Sequence, residues 1–135
     1  MKPPKYQKDI EDFLATAENE LKYIQWDLKG KLYVAVSFWS QQVAEKSLKA
    51  LWLFFGKKPI KIHSLERLAK EVEELAPEIN QIREKLRFLD KFYIATRYPN
   101  GHLLEGELKE DDALKAKKCA EEIFDFVRKK MGSSG

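Results

Sequence analysis

Apolar residues recur along the first thirty positions at helical spacing. Ile10, Phe13, Leu14, Ala17, Leu21, Ile24 and Leu28 form one stripe, which predicts a helix from about Tyr6 to Leu28. Gly30 punctuates the chain. The next pattern, roughly Lys31 to Phe55, is apolar around most of its circumference: Val34, Phe38, Val43, Leu48, Leu51, Trp52 and Phe55 do not share a narrow face. A helix of this kind is central, covered by several neighbours, and part of its surplus apolar surface could face a second subunit. Gly56 ends it, and "KKPIKI" reads as a short loop held open by Pro59.

Ser64 has the character of an N-cap for a third helix carrying Leu65, Leu68, Ala69, Val72 and Leu75. Pro77 closes that helix and suits the first turn of a fourth, which carries Ile79, Ile82, Leu86, Leu89 and Phe92. The last helix starts near Lys109. Its first turn holds Glu110, Asp111 and Asp112 against the positive end of the dipole, and Arg128, Lys129 and Lys130 suit its C-terminus. "LYVAV" has the residue types of a strand but no partner to pair with. The predicted fold is all-α, an up-and-down bundle of four to five helices. It forms one domain over residues 1–131, with 132–135 a disordered tail or a cloning remnant.

Composition narrows the class. The chain has 135 residues, 44% hydrophobic and 35% charged, with eight Phe, five Tyr and three Trp. That supplies a single core and argues against disorder. A net charge of +3 permits an anionic partner without announcing one. The lone Cys119 excludes an internal disulfide and a cysteine zinc cluster, and it reads as an inert core or boundary residue. The reduced thiol and the lack of a signal-type leader point to the cytoplasm. Gln41, Gln42, Glu45, Lys46 and Lys49 interrupt the longest apolar run, which is therefore not a membrane span. Two distant His give no metal-ligand spacing, and nothing in the sequence calls for a cofactor.

Candidate chemistry concentrates in "FYIATRYPNGHLLEGE", within about 15 residues that lack helical periodicity, longer than the usual helix–helix connection. Pro99 biases Tyr98 toward an extended conformation, and Asn100-Gly101 favours a tight turn that could bring His102 back toward Arg97. An Arg fork matches phosphate oxygens, and a His can accept or donate a proton near neutrality. The pair would suffice for metal-independent RNA cleavage through a 2′,3′-cyclic phosphate. The spacing alone is a weak motif. It also fits a structural role, with Arg97 paired to Glu105 or Glu107 and His102 merely exposed. Elsewhere, His63 reads as a helix-start residue; Glu45 with Lys46 could form a polar seam within the second helix, though such residues more often make its solvent face or a satisfied interface. Lys57, Lys58 and Lys61, like Arg83, Arg87 and Lys91, read as solvated faces.

Three stretches, "AVSFWSQQVAEKSLKALWLFFG", "HSLERLAKEV" and "LDKFYIATRYPNG", together with the final "DALKAKKCAEEIFDFVRKK", resemble the HEPN family (higher eukaryotes and prokaryotes nucleotide-binding) across nearly the whole chain. The resemblance implies a HEPN-like bundle that commonly forms a homodimer. Many members are ribonucleases whose cleft at the dimer interface holds an Arg-x4–6-His motif from each protomer. Here "RYPNGH" supplies Arg97 and His102 as the catalytic pair, with Tyr98, Asn100 and Lys46 as residues for binding RNA or nucleotide. Small prokaryotic members often act with a minimal nucleotidyltransferase as a toxin–antitoxin pair, and others bind nucleotides without cutting. Tyr98 directly follows Arg97, where active members usually carry a polar residue. Leu104 stands where adenylylated members carry Tyr.

Overall fold

The computed structural model describes residues 5–95 and 108–132. Its helices are α1 (Gln7–Lys29), α2 (Tyr33–Phe54), α3 (Leu65–Glu73), α4 (Arg83–Asp90), α5 (Phe92–Ala95) and α6 (Glu110–Gly132). No strand occurs among the described residues, and "LYVAV" enters α2. The turn from α1 to α2 is made by Lys31, whose φ of 59° lies in the left-handed region, while Gly30 keeps a φ of −81°.

Side-chain pairings set the helix directions. Glu20 meets Lys46, and Ile10 packs with Ala50 and Leu53, so α1 and α2 run antiparallel. Tyr33 reaches Glu110 at one end of α6, and Met131 lies against Ala50 and Leu53 at the other, so α2 and α6 run side by side in the same direction. The central place expected for α2 is observed: it packs against α1, α3, α4, α5 and α6. Val36, Val43, Ala44, Leu48 and Leu51 are fully buried along it.

Between α2 and α3 the chain climbs back along α2. Gly56, with a φ of 81°, makes the turn, and the Trp52 indole Nε1 donates to the Lys58 carbonyl at 2.7 Å. Ile60 and Ile62 then face inward while Lys61 and His63 face out, the period-two alternation of an extended segment. Extended chain advances about 3.3 Å per residue against about 1.5 Å for a helix, so this short segment passes more than two turns of α2. It delivers His63 beside Glu45, halfway up the central helix.

The predicted fourth helix is divided. Pro77 opens a 3-10 turn, Pro77–Ile82, and α4 and α5 follow with a break at Lys91. Pro77 supplies no N–H, and the tighter turn closes instead through Ile79 N–H donating to Ala76 O at 3.0 Å. Nothing in the local sequence explains the break at Lys91. Ser64 caps α3 as expected, accepting from Arg67 N–H. Asp90 at the end of α4 reinforces that cap: it accepts from Ser64 Oγ at 3.0 Å and from Leu65 N–H at 2.8 Å. The start of α3 and the end of α4 are thereby tied, just before α5 begins in the chain.

Candidate functional site

The predicted catalytic pair, Arg97 and His102, and the predicted binding residues Tyr98 and Asn100 lie outside the described residues. Among the described residues, Lys61, Ile62, His63, Ser64, Arg67, Asp90, Lys91 and Tyr93 line an open groove of about 490 Å³. The extended segment contributes Lys61 and His63, α3 contributes Arg67, and the α4–α5 junction contributes Asp90, Lys91 and Tyr93.

Cations outnumber anions in the groove. Asp90 is its one carboxylate among the described residues, and both of its oxygens are spent on the start of α3. The α3 N-terminus is therefore already satisfied from within the chain, and the attraction for an external anion comes from side chains. Lys91 Nζ lies over the rings of Phe88 and Phe92 at 4.6 and 5.2 Å, a contact that holds the ammonium without neutralising it. Lys61 and Arg67 have no acidic partner among the described residues. Arg83 and Arg87, by contrast, pair with Glu73 and Glu66.

The imidazole of His63 lies parallel to the Tyr93 ring, with centroids 5.1 Å apart and planes 9° apart. Its Nδ1 is 3.1 Å from Glu45 Oε2. The helix-start reading of His63 missed this contact, because eighteen positions separate the two residues and only the climb of the extended segment brings them together. The available signal was the in–out alternation of Ile60, Lys61, Ile62 and His63.

Of the readings open for Glu45 and Lys46, the structure shows a polar seam on α2, and it extends to Gln41, Gln42 and Lys49. Lys46 Nζ lies 2.6 Å from Glu20 Oε2 and 3.2 Å from Gln42 Oε1, so its ammonium is engaged between α1 and α2 and not in the groove. Glu20 is almost wholly buried, and its Oε1 has no partner among the described residues. Burial pushes its carboxyl above the usual carboxylate range, and the Lys46 bond and charge pull it back in part. Further along, Glu45 takes Lys49 at 3.0 Å, and Gln41 Nε2 donates to Glu45 Oε1 at 3.4 Å and to the His63 carbonyl at 3.3 Å.

Cys119 is buried on α6, and burial, with Glu122 nearby, pushes its thiol above the ordinary range. It is far from thiolate chemistry at neutral pH. Among the described residues no group of three or more His, Cys, Asp or Glu could hold a metal ion, and no helix is long and apolar enough to cross a membrane.

Comparison with known proteins follows the same lines. The model of the HEPN domain matches residues 10–130. Solved structures similar to the chain include that of TT1696 from Thermus thermophilus, 31% identical, covering 90% of this chain and 97% of the other at a TM-score of 0.81. ST0689, an archaeal HEPN homologue, is 30% identical, with 97% and 99% coverage and a TM-score of 0.75. No curated protein matches the chain.

Proposed function

Since the chain belongs to the HEPN domain family, we propose that it is a metal-independent endoribonuclease acting as a homodimer, with Arg97 and His102 as its catalytic pair. The observation that carries this reading is the groove. Lys61, Arg67 and Lys91 surround the His63–Tyr93 stack, and α5, which forms one wall, ends at Ala95, two positions before Arg97 in the chain. Cations beside aromatic rings suit single-stranded RNA: the charges meet phosphates, and the rings offer faces for bases.

In this reading Arg97 stabilises the charge that builds on the phosphate as the ribose 2′-oxygen attacks, and His102 moves a proton. The products are a 2′,3′-cyclic phosphate and a 5′-hydroxyl. Cleavage of single-stranded RNA in EDTA tests it. Arg97→Ala and His102→Ala should each lower the rate by about 100-fold or more with the fold intact. Full activity in the double variant overturns the reading.

A second reading keeps the groove and drops the chemistry: a nucleotide-binding module, or the partner of a minimal nucleotidyltransferase in a toxin–antitoxin pair. Tyr98, in the position after Arg97, favours it. It expects nucleotide binding, or a stable complex with such a partner, unaffected by His102→Ala.

A further inference from the structure

His63 is held more firmly than a half-exposed loop residue requires: its side chain is 52% exposed, yet three restraints converge on it. Glu45 takes Nδ1, Tyr93 stacks on the ring, and Gln41 Nε2 donates to the backbone carbonyl. Two of these come from polar side chains buried on α2, and Gln41 and Glu45 are costly to bury unless every group is bonded. They are bonded, to each other, to Lys49 and to Gln42. The bundle thus commits an internal polar network to fixing one imidazole at the edge of a cationic groove.

A carboxylate at Nδ1 keeps the hydrogen there, so the lone pair of the neutral ring sits on Nε2, at the opposite edge. Parallel stacking on Tyr93 opposes rotation of the ring out of that orientation. We propose that His63 is a proton-transferring residue for RNA cleavage in this groove, with Glu45 as its positioning residue. The proposal rests on the ribonuclease reading.

The step balances without a cofactor. Nε2 takes the proton of a ribose 2′-hydroxyl as the 2′-oxygen bonds to phosphorus and the bond from phosphorus to the 5′-oxygen breaks. The departing 5′-oxygen takes its proton from His102, the proton mover of the proposed function, and exchange with water returns both imidazoles to their starting states. Lys61, Arg67 and Lys91 offset the phosphate charge during the step. The charged or titratable groups around the ring are Glu45 and Lys49 from α2, Lys61 from the extended segment, Arg67 from α3, and Asp90, Lys91 and Tyr93 from the α4–α5 junction.

The test is cleavage of a fluorescent single-stranded RNA in EDTA by wild type, His63→Ala, Glu45→Gln and His102→Ala across the pH range around neutrality, with thermal unfolding of each. His63→Ala should lose about 100-fold in rate while keeping its unfolding midpoint, and added free imidazole should restore part of that rate. Glu45→Gln should lower kcat and leave KM unchanged. A purely structural role for Glu45 would raise KM or lower the unfolding midpoint as well. If His102→Ala abolishes cleavage and His63→Ala cuts at the wild-type rate, this inference fails and the ribonuclease reading stands. A folded wild type that cuts nothing removes both.

Discussion

At the residue scale, the charges in and against the central helix divide into those that hold helices together and those that hold the groove residue His63. Glu20 and Lys46 belong to the first kind, and the raised Glu20 carboxyl has a consequence for stability. A carboxyl whose value in the folded chain lies above its unfolded value stabilises the fold at acid pH. That contribution is lost as pH rises through the raised value. Glu20→Gln keeps the shape and removes the charge, so its unfolding temperature relative to wild type should rise between pH 4 and neutrality. A relative gain by wild type over that interval would mean that the Lys46 pairing outweighs the burial. Cys119 gives a simpler expectation: in the folded protein a thiol reagent at neutral pH should react far more slowly with it than with a free cysteine, and unfolding should restore the rate. Its inertness was legible in the sequence, where it reads as a core or boundary residue. The Glu20–Lys46 pair was not, because spacing along one helix carries no information about which residue of another helix it meets.

At the element scale, helix existence followed from periodicity, and one of the two breaks in the fourth helix has a local cause. α1, α2, α3 and α6 lie within two residues of the ends expected from the sequence, α3 stopping at Glu73, two before Leu75. The fourth helix begins as a 3-10 turn because Pro77 starts it, and the period of Ile79, Ile82, Leu86 and Leu89 survives the change, which hides it from a pattern reading. Asp90 is the element-scale residue that no motif announced. It joins the end of α4 to the cap of α3 through Ser64 Oγ and the Leu65 and Glu66 N–H groups. Asp90→Ala should cost about 2 kcal/mol, more than an ordinary surface substitution, since it strips a charged cap from two elements at once. Chemical denaturation measures it. A change near zero would show that water replaces the carboxylate at no cost and that Ser64 alone holds the α3 start.

At the scale of the whole molecule, the all-α bundle and the family were both legible, because a central helix apolar all round and two specific stretches, "HSLERLAKEV" and "LDKFYIATRYPNG", constrain the architecture strongly. The groove was legible only in parts. Lys61, Arg67 and Lys91 read as solvated faces one at a time. They become a site because an extended segment, the start of α3 and the α4–α5 junction converge on one groove. Patterning along the chain cannot show convergence of that kind. If the groove carries RNA, Lys61→Ala and Arg67→Ala should each weaken binding of single-stranded RNA and reduce its salt dependence, with little effect on unfolding. Binding that is indifferent to both would move the RNA path elsewhere. The most direct measurement is analysis of the ends left on single-stranded RNA after incubation with the folded wild-type protein in EDTA. The account predicts 2′,3′-cyclic phosphate and 5′-hydroxyl ends; intact RNA, or cleavage that requires a metal and leaves 3′-hydroxyl ends, would contradict it.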